Sequence, residues 1–278
     1  MNKKHFDQHL HSSFSCDAAR DYPIDKIVEA AIMKGLSGIA ITDHFDALWP
    51  MEYRYEGEPI NVLDLPSYEV ALTEAESNYS DRIQFAKGIE LGFFYGEALD
   101  ICKEAVSNYP YDFIIGSVHH SETTPTDVPA FIEGRTTEEV LEEYYTIILD
   151  SIRDYKDYDV LGHINSIDRY TDEVPPASLS MPYIDEILKV AISDGKGIEI
   201  NTSAYGRYKR HGDDYGTPSV SILKRFKELG GEIVTLGSDA HKSADVGTFI
   251  EEGENILRSV GFKYQAFFKS RKPEFFSL

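Results

Sequence analysis

Cysteine and long apolar runs are scarce in this chain of 278 residues. Cys16 and Cys102 are its only cysteines, too few for the disulfide framework of a small secreted protein. No stretch approaches the roughly 18 apolar residues that a membrane-spanning helix needs. The amino-terminal segment Met1 to Lys4 is not followed by the apolar stretch of a secretory signal. We therefore expect a cytoplasmic protein that has no membrane partner.

Basic residues are few compared with acidic ones. The chain carries 27 Lys and Arg against 48 Asp and Glu, a formal net charge of -21 at pH 7. Such a surface repels the phosphate backbone of nucleic acids and anionic lipid. Bound divalent metals dominate the potential in their own site, so a small phosphate ester is compatible with this charge. We expect a small-molecule phosphate ester as substrate and no nucleic acid partner.

Predicted strands and helices alternate along the chain. After a first strand that carries His9, buried strands are predicted at 38–42, 83–89, 113–118, 160–162, 197–200 and 233–236. Helices are predicted from apolar residues at helical spacing near 24–32, 67–79, 96–108, 184–192 and 245–259. A capping box of Thr136 and Glu139 is predicted to begin another helix, which carries apolar residues up to Ile148, and Thr217–Pro218 is predicted to cap the helix that follows it. The aromatic-rich stretch 45–66 is predicted to be a long loop. No repeat or linker interrupts the alternation, so we expect a single α/β domain over 1–278, its parallel sheet closed as a barrel.

The pair His9 and His11 marks the first strand. Side chains alternate along an extended segment, so both imidazoles point the same way and could bind one cation. Asp17 follows after a short loop, which places a carboxylate near the same strand end and suggests a second metal close by. Taken alone, two such histidines could equally be surface or capping residues.

Further residues of metal-ligand type stand at the ends of other predicted strands. The whole set lies at six strand ends and consists of His9, His11, His44, Glu90, His119, His163, Asp239 and His241. In barrels of parallel strands, functional residues gather at the carboxyl ends of the strands. Purely structural histidines would have no reason to share this placement. Imidazole and carboxylate ligands without cysteine suit Mn²⁺, Fe²⁺ or Zn²⁺, and the sequence does not choose between them.

Five blocks of sequence form an ordered combination that is more specific than any one of them: 7–11, 41–44, 88–90, 116–119 and 237–241. In this combination the chain resembles the polymerase and histidinol phosphatase (PHP) superfamily of metal-dependent phosphoesterases, from residue 5 to about residue 250. The resemblance implies a distorted (β/α)7 barrel that holds two to three divalent metals. Two metals about 4 Å apart could share a hydroxide that attacks the phosphorus of a phosphate ester.

The resemblance also implies a ligand set for each metal. One metal would be bound by His9, His11, Glu90 and Asp239. Glu90 would bridge to a second metal, which would also be bound by His119 and His163. A third metal would use Asp17, His44 and His241, and relatives can carry His where this chain has Asp17. Of these residues, we expect Glu90, Asp239 and His241 to be catalytic as well.

Within the superfamily the closest resemblance is to the stand-alone histidinol-phosphate phosphatases. It is carried by residues 162–170 and by 199–203 followed by Arg207, and it implies hydrolysis of L-histidinol phosphate to L-histidinol and phosphate. Arg169 and Arg207 stand just past strand ends, where guanidinium groups could bind the substrate phosphate. Each could instead form a surface ion pair with the abundant acidic residues.

The remaining histidines receive weaker interpretations. We expect His120 to be a pocket residue that contacts the substrate, His5 to be structural and His211 to be solvated.

Other functions compete with this interpretation. A protein-tyrosine phosphatase of the same fold would need a shallow site open to a protein, whereas 45–66 and 205–216 are suited to closing over a small molecule. A nuclease or nucleotide phosphatase is disfavoured by the net charge of -21. A binding module that has lost catalysis is disfavoured because every ligand type is present.

Overall fold

The computed structural model describes residues 4–50, 63–93, 96–171, 175–208 and 217–278, with the backbone alone at 206–208. Its centre is a sheet of parallel strands whose spatial order is β1, β2, β4, β5, β6, β7, β8. These strands are β1 (Phe6–Asp7), β2 (Gly38–Ile41), β4 (Gln84–Gly92), β5 (Phe113–Ser117), β6 (Val160–Leu161), β7 (Gly197–Asn201) and β8 (Val234–Gly237). A short strand β3 (His44–Phe45) pairs with the carboxyl half of β4.

The first and last strands of the ring meet beyond their ends. Gln8 donates its amide hydrogen to the carbonyl of Leu236 at 2.8 Å, and Leu10 forms a parallel bridge with Ala240. The seven main strands therefore curl into a nearly closed barrel, which confirms the predicted (β/α)7 architecture. Its closing seam runs beside His9, so the first predicted ligand lies where the two ends of the sheet meet.

Helices surround the barrel and bury their apolar faces against it. They are α1 (Ile24–Met33), α2 (Leu65–Tyr79), α3 (Glu97–Ser107), α4 (Thr137–Asp154), α5 (Ala177–Ser193), α6 (Ser203–Tyr208), α7 (Val220–Glu228) and α8 (Ile250–Val260). The predicted capping box of α4 is confirmed, because Thr136 and Glu139 each accept a hydrogen bond from the other's backbone amide. None of the described helices combines the length and the apolar character needed to cross a membrane.

Several predicted boundaries were wrong. β4 continues through Glu90 to Gly92, because β3 and β5 pair with its carboxyl half on both sides. Thr217 does not cap α7, since its carbonyl accepts the amide hydrogen of Asn201 and the helix begins after Ser219. α8 begins at Ile250 instead of residue 245. In the predicted loop 45–66, residues 51–62, with Tyr53 and Tyr55, lie outside the described residues.

The aromatic-rich carboxy-terminal segment forms a hairpin that was not predicted from the sequence. Its antiparallel strands are β9 (Tyr264–Lys269) and β10 (Lys272–Ser277). Phe267 and Phe268 are buried in a cluster that also contains Phe6 and Phe113. Since Phe6 and Phe113 are the first residues of β1 and β5, the hairpin covers the amino-terminal end of the barrel. The opposite end is left for the functional site.

Candidate metal centre

His9 and His11 follow β1 and are completely buried. Glu90 Oε2 lies 3.0 Å from Nε2 of His9 and 3.5 Å from Nε2 of His11. Asp239 follows β8, and its Oδ1 lies 3.3 Å from His11 Nε2 and 3.8 Å from His9 Nε2. The four residues expected to hold one metal are thus brought together from three strands.

Glu90 presents its other oxygen to a second group of side chains. Its Oε1 lies 3.0 Å from Nε2 of His163 and 3.2 Å from Nε2 of His119. Ser117, at the end of β5, donates its hydroxyl hydrogen to the same oxygen at 2.6 Å. One carboxylate therefore stands between two sets of imidazoles, which is the arrangement that a bridging ligand requires.

Asp17, His44 and His241 also meet. Asp17 Oδ2 lies 2.9 Å from Nε2 of His241 and 3.5 Å from Nε2 of His44. His44 turns its other nitrogen, Nδ1, towards Glu90 Oε2 at 2.9 Å. The ring of His11 is stacked on both His44 and His241, at centroid distances of 4.1 and 4.2 Å. His44 consequently stands between the Glu90 group and the Asp17 group.

Three overlapping groups of potential ligand atoms result, with all atoms of a group within 4.8 Å of one another. They are His9–His11–Glu90, His44–Glu90–His119 and His11–His44–His241. The sharing of His11 and His44 between groups was not anticipated from the sequence.

The potential ligand atoms are buried, and although oppositely charged groups lie near them, none makes a hydrogen bond of acceptable geometry with a described residue. This holds for Nε2 of His9, His11, His119 and His241, for Nδ1 of His44 and for Glu90 Oε2. Leaving such polar atoms unsatisfied costs about 1–3 kcal/mol each. A divalent cation would satisfy several of these atoms at once, so the residues present fit bound metal.

The pKa values of these side chains show where a proton would compete with a metal. Burial lowers the pKa of His9, His44 and His119, but carboxylates outweigh it and raise all three, that of His119 to about 10 through Asp46 and Glu90. Burial, with His44 and His241 nearby, lowers the pKa of His11 to about 3. Burial raises the pKa of Glu90, but the surrounding histidines hold it well below its usual range.

Other side chains orient the imidazoles, and these side chains were not predicted from the sequence. Nδ1 of His9 lies 2.5 Å from Glu199 Oε1, and Nδ1 of His119 lies 2.7 Å from Asp46 Oδ1. Ser15 Oγ lies 3.1 Å from Nδ1 of His11. Metal-binding histidines usually donate their second ring hydrogen to such partners. Their positions in the sequence could have identified these carboxylates, because Glu199 lies within β7 and Asp46 lies two residues after His44.

A cavity of about 610 Å³ opens beside these residues. Arg169 reaches into it, with Nη2 donating to Asn201 Oδ1 at 3.1 Å and Nη1 4.0 Å from Asp239 Oδ2. Asn201 Nδ2 in turn donates to Asp239 Oδ2 at 3.0 Å. Arg169 is thus held at the edge of the candidate metal ligands rather than on the outer surface of the barrel.

The other predicted site residues have different positions. His120 is buried and does not line the cavity; its Nδ1 hydrogen bonds to the carbonyl of Ser121 at 2.8 Å. Arg207 lies in α6, and its side chain is outside the described part of the structure. His5 Nδ1 contacts Glu254 Oε1 at 2.8 Å, far from the cavity. His211 also lies outside the described residues.

The PHP domain family model matches residues 7–203. The chain belongs to the PHP domain family. Among curated relatives, the histidinol-phosphatase of Lactococcus lactis is 29% identical over 276 residues, which cover 97% of this chain and 96% of the relative. A probable histidinol-phosphatase of Clostridium acetobutylicum is 29% identical over 271 residues, 96% of this chain and 97% of the relative.

A solved structure agrees with this PHP domain over nearly its whole length. It is the crystal structure of histidinol phosphate phosphatase from Lactococcus lactis complexed with zinc, L-histidinol and phosphate. The TM-score is 0.83 at 27% sequence identity, and the match covers 98% of this chain and 100% of that one. A putative histidinol phosphatase from Listeria monocytogenes shares the fold, with a TM-score of 0.73 at 18% identity over 89% of this chain and 99% of that one.

Proposed function

We propose that this PHP domain protein is a metal-dependent phosphomonoesterase that hydrolyses L-histidinol phosphate to L-histidinol and phosphate, a reaction of histidine biosynthesis. The observation that carries the proposal is the end-to-end agreement with the Lactococcus lactis enzyme, whose structure contains zinc, L-histidinol and phosphate. The cavity beside the histidines and carboxylates accommodates a substrate of this size. Small-molecule phosphate esters, rather than nucleic acids, suit a chain of net charge -21.

The proposal includes two to three divalent metals, with Mn²⁺, Fe²⁺ and Zn²⁺ as candidates. His9, His11, Glu90 and Asp239 would hold one of them. Glu90, His119 and His163 would hold the second, and Asp17, His44 and His241 the third. Bound divalent metals would polarise the phosphoryl oxygens and lower the pKa of a coordinated water towards neutrality.

The protein's own residues would bind and orient the ester. Arg169 is held by Asn201 with its guanidinium facing the cavity, where it can pair with phosphate oxygens. Arg207 is proposed as a second phosphate ligand because it lies in α6, directly after β7. His120 supports the cavity from behind. We propose that Glu90, Asp239 and His241, all of which lie close to His11, are the catalytic residues.

A panel of substrates tests this function. Protein loaded with Mn²⁺ is assayed against L-histidinol phosphate, a phosphotyrosine peptide, nucleoside monophosphates and a single-stranded oligonucleotide. The proposal requires kcat/KM to be highest for L-histidinol phosphate. A preference for the phosphopeptide would identify a protein-tyrosine phosphatase, and a preference for the nucleic acid substrates would identify a nuclease or nucleotide phosphatase.

The metal content of the protein and its location in the cell are tested separately. Elemental analysis of protein purified without chelator should find two to three transition metals per chain, and a value at or below one would refute the cluster. Fractionation of cells should recover the protein in the cytoplasm, where Cys16 and Cys102 would stay unpaired as they are in the structure.

A further inference from the structure

Trp49 and Asp127 line the same cavity as Arg169 and Asp239. Neither has a role in the metal and phosphate sites proposed above. If the function proposed above holds, the substrate brings more than a phosphate into this space. L-Histidinol phosphate also carries an ammonium group and an imidazole ring, and these need partners away from the metals.

Asp127 stands out among the carboxylates of the cavity. Of the other described ones, three contact histidines and one faces a lysine: Asp17, Asp46, Asp239 and Asp245. Within the described residues, Asp127 forms no ion pair and no side-chain hydrogen bond with another residue. It is therefore the cavity carboxylate that lacks a cationic partner in the part of the chain that the structure describes.

The position of Asp127 is fixed by the preceding residue. Thr126 donates both its amide hydrogen, at 2.8 Å, and its hydroxyl hydrogen, at 3.1 Å, to the carbonyl of His119. An antiparallel bridge between His120 and Pro125 closes the same loop. The backbone at Asp127 is thus anchored next to a residue of the metal cluster, and little ordering of this loop would be needed when a ligand binds.

Trp49 is supported from behind by His120. Their rings pack edge to face, with centroids 5.3 Å apart. The indole is half-buried and lines the cavity, while His120 is buried and does not line it. Part of the indole therefore faces the cavity that Asp127 also lines, and aromatic rings stack favourably on one another.

We infer that Trp49 and Asp127 form the binding site for the leaving group, in which the indole packs against the substrate imidazole and the Asp127 carboxylate pairs with the substrate ammonium. His120 acts as a positioning residue for Trp49. The pair thereby selects phosphate esters of cationic aromatic alcohols over other phosphate esters. Because L-histidinol keeps both groups after hydrolysis, the same pair also binds the product.

Steady-state kinetics tests the role of Asp127. In Asp127→Asn, kcat/KM for L-histidinol phosphate should fall by about 10- to 150-fold, mainly through KM, as expected for loss of a charge-assisted hydrogen bond. For p-nitrophenyl phosphate, which lacks an ammonium group, the fall should be at least tenfold smaller (about 1.4 kcal/mol less). Asp127→Glu should recover part of the loss.

Glu122→Gln is the matched control, because Glu122 lies in the same loop, is exposed and does not line the cavity. It removes the same charge and should leave the ratio of kcat/KM between the two substrates unchanged. If Asp127→Asn and Glu122→Gln alter this ratio equally, or not at all, the assignment of Asp127 is overturned. If the wild-type protein hydrolyses p-nitrophenyl phosphate but not L-histidinol phosphate, the proposed function fails first and the leaving-group site fails with it.

Fluorescence tests the role of Trp49, which is the only tryptophan in the chain. Titration of the metal-loaded wild-type protein with L-histidinol should change the emission saturably. In Asp127→Asn the dissociation constant for L-histidinol should rise by a similar factor of about 10 to 150. The dissociation constant for 4-methylimidazole, which has no ammonium group, should change much less. Unchanged emission at concentrations of L-histidinol that inhibit the enzyme would overturn the placement of its imidazole against Trp49.

Discussion

Glu199 Oε1 lies 2.5 Å from Nδ1 of His9, on the opposite side of the ring from Glu90, whose Oε2 lies 3.0 Å from Nε2. The other oxygen of Glu199 accepts the amide hydrogen of His163 at 3.0 Å. One buried carboxylate in β7 therefore positions two residues of the candidate metal centre, although it belongs to none of the three groups of potential ligands.

Replacing this carboxylate should weaken metal binding without removing a ligand. We expect Glu199→Gln to lower metal affinity by about 10- to 100-fold, the usual effect of losing a partner that orients a ligating histidine. Competition with a chromogenic chelator measures the change. Glu232→Gln, an exposed position just before β8, is the control. Equal affinities in both variants would mean that His9 does not need Glu199 for its orientation.

Metal binding should release protons at neutral pH. The pKa values of His9, His44 and His119 lie above 6.5 in the metal-free protein because carboxylates outweigh the effect of burial, and that of His119 is about 10. The ring of His119 is therefore protonated at pH 7, and an imidazole whose pKa is raised must lose its proton to bind metal. Affinity should rise as pH increases from 7 towards 10, and fall on acidification.

Calorimetric titration with a metal in buffers of different ionisation enthalpy counts the protons released. His11, with a pKa of about 3, is already neutral at pH 7 and contributes none. Binding enthalpies that do not depend on the buffer would contradict this prediction.

Arg169 should act on phosphate and not on metal. Lysine keeps the charge but loses the bidentate geometry, so Arg169→Lys should lower kcat/KM for L-histidinol phosphate by about 10- to 150-fold. Metal content, measured on the same sample, should stay unchanged. Arg153→Lys, on the exposed face of α4, serves as the control. A change below threefold in Arg169→Lys would assign phosphate binding to other residues.

The carboxy-terminal hairpin should contribute to stability. Phe267 is 1% exposed and packs against Phe6 at a centroid distance of 4.9 Å. Phe267→Ala should therefore lower the free energy of unfolding by about 3–5 kcal/mol, as measured by urea denaturation. Phe275, 47% exposed on β10, is the matched control. If both variants unfold at the same urea concentration, the hairpin is not part of the cooperative core.

The barrel and the candidate ligands could be predicted from sequence for a physical reason. Strand and helix patterns alternate, and parallel strands bring their carboxyl ends to one edge, so His9, His44 and His163 had to lie near one another. Which imidazole nitrogen meets which oxygen depends on ring orientation, and local patterns do not determine it. The positions of Glu199 and Asp46 behind the histidines were missed for that reason.

The hairpin was missed because its turn carries an unusual sequence. Ser270 and Arg271 have φ values of 51° and 63°, a conformation that two-residue hairpin turns usually achieve with Asn-Gly or Asp-Gly. Asp112 stabilises this turn, since it accepts the amide hydrogen of Ser270 at 2.8 Å and pairs with Lys269 at 2.7 Å. Contacts with a residue so far away in the chain leave no local signal.

The hairpin is also joined to the first strand through Gln8, the residue before His9. Gln8 donates to the carbonyl of Ala266 at 2.6 Å and accepts the amide hydrogen of Phe268 at 2.9 Å. Since β8 and the hairpin hold β1 from the other side, the ribosome must make both of them long after β1 before His9 is fully enclosed. A nascent chain that lacks them cannot assemble the centre around His9, so we expect metal uptake to follow synthesis of the hairpin.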